Sequence, residues 1–292
     1  MTALSQFRRI HADPSSASSA CTARDRIMNL ADVFNFNYQV EDCVGVPYER
    51  HFFGMPLSNA VASGYQVTAR GYFDATESPI AIHTAKMLRR LSCADPGQQK
   101  LHLLDLFAGT GQTAWAFLKE GFHVESAELD PIRTLVAYQN LNRSGLAERW
   151  ALNHEDALSV LKTRIATGMR FDAVYLDPPW AGRYDYDLKR EFRLEDTAPS
   201  GMALLEMALQ LSDVVGIKCP QNISLAQVEL LCRELQLWGK LEYQEVAGFP
   251  RELNQATIYF VKRGRYPHLL NLSFGTVTLS PGLSPNFYGG EI

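Results

Sequence analysis

A strand, a glycine turn and a helix in immediate succession constrain the fold of this chain most. The apolar run Leu101 to Leu106, interrupted by His102 and Asp105, leads directly into Phe107-Ala108-Gly109-Thr110-Gly111-Gln112-Thr113-Ala114. A helical segment follows and closes at Gly121, a residue type suited to the position just after a helix. Because glycine has no Cβ, the backbone of such a turn can approach a ligand closely. The pattern predicts an α/β fold with a ligand site at this turn.

The same alternation of strand and helix continues towards the C-terminus. Apolar runs predict further strands that begin near Phe122, Trp150, Phe171, Val214, Leu241 and Ala256. No helical segment separates the last two of these, so we expect them to form an antiparallel pair. The expected fold class is therefore α/β and Rossmann-like, with a seven-stranded, mostly parallel sheet and a closing antiparallel hairpin. The segment Asn271 to Leu279 is a candidate for one more strand.

A second motif, Asp177-Pro178-Pro179-Trp180, directly follows the predicted strand that ends at Leu176. Neither proline carries an N–H, so the main chain here offers only carbonyl oxygens, to which the Asp177 carboxylate adds further acceptors. The indole of Trp180 supplies a flat apolar face. Acceptors beside a flat face suit a planar molecule with an exocyclic amino group. The structural alternative is a turn that ends the strand, with Trp180 in the core.

The glycine turn alone does not identify its ligand, because Gly109-x-Gly111-x-x-Ala114 also satisfies the dinucleotide fingerprint. Two observations favour S-adenosylmethionine over a nicotinamide dinucleotide. The carboxylate of Asp105 suits a ligand with an ammonium and a sulfonium, and it is unfavourable beside a pyrophosphate. The Asp-Pro-Pro-Trp motif has no role in hydride transfer.

Two further acids are expected at the ends of later strands. Glu128 lies about 20 residues after the first glycine, where an acid can bind two ribose hydroxyls. Asp156 follows the strand that begins at Trp150, and its carboxylate can accept a hydrogen bond from the adenine amino group. The alternative for Asp156 is a helix N-cap for the segment that begins at Ala157, and both roles stay open.

Composition narrows the possible classes. The chain has 292 residues with 46% hydrophobic content, enough for one sizeable core, and no apolar run long enough to span a membrane. The net charge of −4 excludes a general electrostatic attraction to nucleic acid. The five cysteines are scattered, without a CxxC pair, which favours a reducing, cytoplasmic location and argues against a bound metal.

We expect four regions along the chain. Residues 1–25 are predicted to be a flexible lead, residues 26–70 an irregular extension or cover, residues 71–265 the main domain and residues 266–292 a tail. Near the start of the main domain, Ser78 is a good N-cap for a helix with Pro79 in its first position.

With these motifs the chain resembles the class I methyltransferases and, more narrowly, the trimethylguanosine synthase family of RNA cap guanine-N2 methyltransferases. The likeness covers roughly Gly71 to Gly264 and is carried by Gly71-Tyr72-Phe73 with Thr76-Glu77, Asp105 to Gly111, Glu128-Leu129-Asp130-Pro131, Asp177 to Gly182 with Tyr184 or Tyr186 after it, and Pro220-Gln221-Asn222. The resemblance implies an S-adenosylmethionine-dependent N-methyltransferase whose acceptor is guanine N2 in RNA or in a related nucleotide. The alternative acceptor is a small planar metabolite. A cofactor-binding module without catalysis and an NAD-dependent oxidoreductase are the other classes.

Three features depart from the family pattern. Asp177 stands where the family has Ser, as in methyltransferases of adenine amino groups, and Gln221 stands where the family has Arg. The residues before Gly71 also lack the family's lysine-rich arm. Because phosphate contacts dominate affinity for nucleic acids, these departures keep the metabolite alternative open.

The motifs and the resemblance together imply three sets of site residues and no metal. The catalytic set is Asp177, Pro178, Pro179 and Trp180. The cofactor-binding set is Thr76, Asp105, Phe107, Ala108, Gly109, Thr110, Gly111, Thr113, Glu128, Leu129, Asp156, Ala157 and Asp177. The substrate-binding set is Tyr72, Phe73, Trp180, Tyr184, Tyr186, Gln221 and Asn222.

Overall fold

The computed structural model of the chain describes residues 50–68, 71, 74–92, 100–180, 191–248, 255–265 and 273–280. At the start of this part, strands β1 (His51–Phe52) and β2 (Met55–Pro56) form a small antiparallel sheet. Helices α1 (Leu57–Ala62) and α2 (Ser78–Ser92) follow. Within these ranges no helix combines the length and the apolar character needed to cross a membrane.

An eight-stranded sheet forms the centre of the molecule. Its strands are β3 (Leu101–Asp105), β4 (Phe122–Glu128), β5 (Trp150–His154), β6 (Ala173–Leu176), β7 (Val214–Cys219), β8 (Leu237–Val246), β9 (Gln255–Lys262) and β10 (Ser273–Leu279). Their order across the sheet is β10-β8-β9-β7-β6-β3-β4-β5. Strand β9 runs antiparallel to both of its neighbours, and all other pairings are parallel.

Helices cover both faces of the sheet. The helices after the first glycine turn are α3 (Gln112–Lys119), α4 (Pro131–Arg143), α5 (Ala157–Ala166), α6 (Gly201–Leu211) and α7 (Leu225–Glu234). Residues of α2 and α3 pack into one core cluster, and residues of α5, α6 and α7 pack into the other. Strands β6 and β7 are buried at every position, because a parallel strand in the middle of such a sheet has no solvent-facing side.

The predicted fold class and the antiparallel hairpin of β8 and β9 are confirmed. Strand β10 lies in the segment named above as a further strand, and it makes the sheet one strand wider than the predicted seven. Most of its side chains are exposed, so the hydrophobic pattern of this strand is weak. Its place is set by main-chain pairing with β8, from Ser273 opposite Lys240 to Leu279 opposite Val246.

The two predicted ends of helices had different outcomes. Gly121 follows α3 with a φ of 90°, which confirms its position after the helix. The prediction that Ser78 is the N-cap of α2 was wrong, because the helix already includes Ser78. Its hydroxyl instead donates to the carbonyl of His51 at 2.9 Å and accepts from the N–H of Gly54 at 3.0 Å. Ser78 therefore connects the hairpin of β1 and β2 to helix α2.

Gln112, the first residue of α3, anchors the N-terminal segment on the glycine turn. Its side chain is buried, accepts from the N–H of Phe53 at 2.8 Å and donates to the carbonyl of His51 at 3.1 Å. It also donates to the carbonyl of Thr76. Each of these bonds satisfies a main-chain group that folding has removed from water. The segment before α2 is therefore part of the wall around the turn.

The chain order places a crevice at the centre of the sheet. From β3 the chain moves outward to β4 and β5, then returns to β6 and β7 on the other side of β3. In open α/β sheets, ligands bind beyond the carboxyl ends of the strands at such a reversal. Four strand ends meet there, and they carry Asp105, Glu128, Asp177 and Cys219.

Candidate active site

The two glycines of the turn have different structural tasks. Both adopt left-handed backbone angles, with φ of 54° at Gly109 and 87° at Gly111. A Cβ on Gly111 would lie 2.3 Å from Leu141 Cδ2 and 3.3 Å from the Cα of Ala137, so Gly111 permits the packing of α3 on α4. A Cβ on Gly109 would meet nothing within 4 Å. The turn therefore leaves space at Gly109, where a ligand can approach the backbone.

The carboxylate of Glu128 holds the turn at the end of β4. Its Oε2 accepts from the N–H of Gly109 at 2.8 Å, and its Oε1 accepts from the N–H of Asp130 at 2.9 Å. Burial raises the pKa of Glu128 above its usual value. The next residue, Leu129, is 64% exposed, which is unusual for so large an apolar side chain. The geometry offers an acid and an apolar surface side by side.

Asp105 lies completely buried at the end of β3. Its Oδ2 accepts a long hydrogen bond of 3.4 Å from Ser126, and its Oδ1 has no hydrogen-bond partner among the residues that the structure describes. Burial raises the pKa of Asp105 to about 7, and the negative charges of Asp177 and Glu128 act in the same direction. A cation bound nearby would favour its ionised form.

Several predicted cofactor residues have their side chains inside the protein. Ala108, Thr110, Thr113 and Ala157 are buried, and Phe107 packs against the core cluster of α5, α6 and α7. These residues can reach a ligand through their backbone rather than through their side chains. Their predicted role in cofactor binding therefore stays a prediction about their main-chain atoms.

Asp156 caps helix α5, as one of its two alternatives predicted. Its Oδ1 accepts from the N–H of Ser159 at 3.1 Å, and its backbone is extended, as is typical of an N-cap. This contact leaves the second alternative, a hydrogen bond to an adenine amino group, as a prediction.

The ion pair of Asp177 with Lys218 was missed by the sequence analysis. The ammonium of Lys218, on β7, lies 2.8 Å from Asp177 Oδ2 and 2.8 Å from the hydroxyl of Thr76. Lys218 is 5% exposed. One signal was available, because Lys218 is the single charged residue in an otherwise apolar strand, close to its carboxyl end.

The prolines of the tetrapeptide differ in what they can offer. The carbonyl of Pro179 accepts from the N–H of Ala198 at 3.1 Å, so this acceptor is already engaged. In the part of the chain that the structure describes, no N–H donates to the carbonyl of Pro178. Pro178 is buried and Pro179 is exposed. Of the two proline carbonyls, that of Pro178 is therefore the one left to accept from a substrate.

The indole of Trp180 lies between a charge and a second aromatic ring. The ring of Phe192 meets it edge-on, with centroids 6.4 Å apart, and Lys218 Nζ lies 5.8 Å from its centroid. Trp180 packs partly against the core and keeps some exposure. Lys218 therefore lies near both the indole of Trp180 and the carboxylate of Asp177. The stacking role of Trp180 and its alternative, a place in the core, both stay predictions.

Gln221 and Asn222 are half-buried in the turn after β7. The carbonyl of Asn222 accepts from the N–H of Phe192 at 2.9 Å, which connects this turn to the ring that packs on Trp180. The turn after β7 therefore forms one side of the tetrapeptide's surroundings. The remaining predicted substrate residues, Tyr72, Phe73, Tyr184 and Tyr186, lie outside the described residues.

The charges of the site match S-adenosylmethionine. Three carboxylates, Asp105, Glu128 and Asp177, lie at neighbouring strand ends, and Lys218 lies between Asp177 and Thr76. Among the residues that the structure describes, Oδ1 of Asp105 has no hydrogen-bond partner, and burial together with the charges of Asp177 and Glu128 raises the pKa of Asp105. A site of this kind favours a cationic ligand. Within the described ranges, no group of three or more His, Cys, Asp or Glu side chains could hold a metal ion.

Comparison with known protein families settles the class of the chain. The RNA cap guanine-N2 methyltransferase family matches residues 100–261, more than half of the sequence. The chain belongs to this family. This membership confirms the resemblance found in the motifs, the Rossmann-like fold class, the expected enzyme class of S-adenosylmethionine-dependent methyltransferases, and S-adenosylmethionine as the cofactor.

Two individual proteins illustrate the relationship. The tRNA1(Val) (adenine(37)-N6)-methyltransferase of Aliivibrio fischeri (strain MJ11) is 34% identical over 91 residues, which is 30% of this chain and 37% of that protein. The chain thus matches well under half of this relative. The crystal structure of the SAM-dependent methyltransferase from Agrobacterium tumefaciens has a TM-score of 0.51 at 16% identity, and covers 68% of this chain and 67% of that one. At this identity the likeness shows the fold alone.

Proposed function

We propose that this family member transfers a methyl group to the exocyclic amino nitrogen of a planar base, with guanine N2 of RNA or of a related nucleotide as the acceptor. The observation that carries the proposal is the grouping of the Pro178 carbonyl, the Asp177 carboxylate and the Trp180 indole at the end of β6. Strand β6 lies directly beside β3, which carries the glycine turn. Acceptors for an amino group and the cofactor turn are therefore neighbours.

The residues of the turn would hold the cofactor. Glu128 would accept hydrogen bonds from its ribose hydroxyls, Leu129 would cover its adenine, and Asp156 would accept from the adenine amino group. Asp105 would favour its positive charges electrostatically, from beneath the turn. Bound in this way, S-adenosylmethionine supplies an activated methyl group on a sulfonium.

The tetrapeptide would bind and orient the acceptor nitrogen. The lone pair of an exocyclic amine is delocalised into its ring, which makes the nitrogen a weak nucleophile. The carbonyl of Pro178 and the carboxylate of Asp177 accept the amine hydrogens and favour a pyramidal nitrogen. Holding two reacting groups in line supplies on the order of 7–11 kcal/mol, so no strong base is needed. Asp177 or water takes the proton after the transfer.

Aromatic and polar side chains would hold the base in the pocket. Trp180 would stack on one face of the base; the centroid of its indole lies 5.8 Å from Lys218 Nζ, the ion-pair partner of Asp177, which supports this role. We propose Tyr72, Phe73, Tyr184 and Tyr186 for the opposite wall and Gln221 and Asn222 for the polar edge of the base. The methyltransferase domain is assigned to residues 71–265, to which strand β10 adds an edge strand.

The family match supports an RNA acceptor, and the Aliivibrio relative is named for methylation of an adenine in tRNA. A second acceptor class, a small planar metabolite, is favoured by the net charge of −4 and by the neutral Gln221. Cys219 and Cys232 are free thiols, which suits the reducing conditions of the cytoplasm, where we place the activity.

The deciding experiment is methyl transfer from tritiated S-adenosylmethionine to separate acceptors. These are m7G-capped RNA, uncapped RNA, tRNA and a fraction of small metabolites. We expect label in RNA, and N2-methylguanosine after digestion to nucleosides. N6-methyladenosine in the digest would overturn the assignment of guanine as the acceptor. Label in the metabolite fraction would favour the second acceptor class. The absence of label in every fraction would refute the proposal.

A further inference from the structure

Lys218 is a buried cation whose hydrogen-bond donors all face protein groups. An ammonium has three N–H donors. Those of Lys218 face Asp177 Oδ2 at 2.8 Å, Thr76 Oγ1 at 2.8 Å and, more weakly, the carbonyl of Asp74 at 3.4 Å. These contacts leave Lys218 without a donor for a substrate, so any part it has in the reaction must act through its protein partners.

Stability alone does not account for this ion pair. The side chains of Lys218 and Asp177 are only 6% and 19% exposed, so both charges have lost most of their hydration. A buried ion pair of this kind contributes little net stability compared with apolar residues of similar volume. Its effect on the site is specific, however, because Asp177 belongs to the tetrapeptide and Thr76 belongs to the wall before α2.

Asp177 lies close to other acids at the strand ends. Burial is the main cause of the raised pKa of Asp105, on the neighbouring strand, and the negative charge of Asp177 adds to it. An opposite charge in contact with a carboxylate favours its ionised form. A short charge-assisted hydrogen bond to a carboxylate oxygen also restricts the rotation of the carboxylate.

We propose that Lys218 is a positioning residue that holds the Asp177 carboxylate as an anion in one orientation, so that it can accept a hydrogen from the substrate amine. This inference rests on the proposed function of the tetrapeptide. It gives the charged acceptor at Asp177 a buried cationic partner on the adjacent strand β7.

The test compares turnover and cofactor affinity in four variants: Lys218→Met, Asp177→Asn, the double variant with both changes, and Lys240→Met as a matched control. Lys240 also lies 2.8 Å from a buried carboxylate in the same sheet, that of Glu242, but on β8, which is separated from β6 by the two strands β9 and β7. We expect Lys218→Met to lower kcat about 10- to 100-fold, the loss typical of removing a hydrogen bond to a charged group. The Kd for S-adenosylmethionine, measured by calorimetry, should change less than about threefold.

The Asp177→Asn background distinguishes positioning from an independent effect. If Lys218 acts through the carboxylate, adding Lys218→Met to Asp177→Asn should cause no further loss of kcat. Multiplying losses would overturn the inference, as would a folded Lys218→Met variant with kcat within about twofold of wild type. Lys240→Met should retain wild-type kcat, and an equal loss there would indicate a general effect of breaking ion pairs.

An unfolded Lys218→Met variant and an inactive wild-type protein each have a defined consequence. If Lys218→Met does not fold, the comparison of Asp177→Asn with the double variant decides: equal kcat supports the inference and a lower kcat in the double variant overturns it. If the wild-type protein labels no acceptor, the proposed function fails and the inference falls with it. An active wild type with an active Lys218→Met variant refutes the positioning role alone.

Discussion

Two buried carboxylates in the same sheet show how partners decide the behaviour of a charge. Glu242, on β8, is 2% exposed and lies 2.8 Å from both His83 Nε2 and Lys240 Nζ. These partners lower its pKa, although burial acts in the opposite direction. Asp105, at the end of β3, is fully buried with one unpartnered oxygen among the described residues, and its pKa is raised to about 7.

The difference between the two sites separates structure from function. The groups around Glu242 continue as a chain of hydrogen bonds that joins the hairpin to α2, formed by Gln244, Gln255, Thr257, Tyr259 and Thr84. Such a satisfied network orders the packing of a helix on a sheet. At the strand ends, Asp177 pairs with Lys218, whereas burial and the charges of Asp177 and Glu128 all raise the pKa of Asp105. Perturbed acids of this kind are typical of a functional site.

The largest effect should follow from removing Glu242. Glu242→Ala would leave His83 and the charge of Lys240 without their partner, and breaking a buried pair in this way typically costs about 3–5 kcal/mol. We expect this loss in the free energy of unfolding, measured with urea, with little change in the kcat of the folded fraction. Glu234→Ala, at an exposed position at the end of α7, should be neutral and serves as the control.

Removing Asp177 should have the opposite profile. Asp177→Ala takes away an acceptor of the substrate amine, so turnover should fall by at least about 100-fold, while the Kd for S-adenosylmethionine should change little. Loss of stability is expected too, because Lys218 loses its ion-pair partner. Turnover above a tenth of the wild-type value would remove Asp177 from the catalytic set.

The raised pKa of Asp105 predicts that the free energy of unfolding depends on pH. Because its pKa is higher in the folded protein than in the unfolded chain, the folded state binds more protons between pH 4 and pH 7. The free energy of unfolding should therefore fall as the pH rises through this window and level off above about pH 7. Asp105→Asn should abolish this contribution, which makes the variant relatively more stable at pH 8 than at pH 5 by roughly 2–3 kcal/mol.

Urea unfolding of wild type and Asp105→Asn at both pH values checks this prediction. The same variant should bind S-adenosylmethionine more weakly, since the ligand's positive charges lose a carboxylate. The difference in the free energy of unfolding between wild type and variant should change with pH. An equal difference at both pH values would show that Asp105 is not the acid that titrates.

The smallest effect should come from Leu129. Its side chain is 64% exposed, so Leu129→Ser removes little packing and should leave the free energy of unfolding unchanged. If this side chain covers the adenine, the Kd for the cofactor should rise about fivefold to tenfold, as for the loss of roughly 1 kcal/mol of apolar contact. Calorimetry measures this directly, and an unchanged Kd would place the adenine elsewhere.

Local sequence patterns were sufficient to predict the fold class and the strand ends at which the candidate site lies. The glycine turn after β3, Glu128 at the end of β4 and the tetrapeptide after β6 are each recognisable from residues that are adjacent in the sequence. The order of strands and helices follows from the alternation of continuous apolar runs, typical of buried strands, with segments whose apolar residues recur at helical spacing. Strand β10 was harder to predict since its mostly exposed side chains carry no such pattern.

By itself, the sequence determined the α/β alternation, the glycine turn with its cofactor class, and the placement of Asp177 and Trp180 after a buried strand. Only the tertiary structure decided that Lys218 pairs with Asp177 and that the N–H of Ala198 donates to the carbonyl of Pro179. The reason is that hydrogen bonds and ion pairs depend on distance in space. Strands that are adjacent in the sheet, such as β6 and β7, are separated along the chain by a helix and its connections.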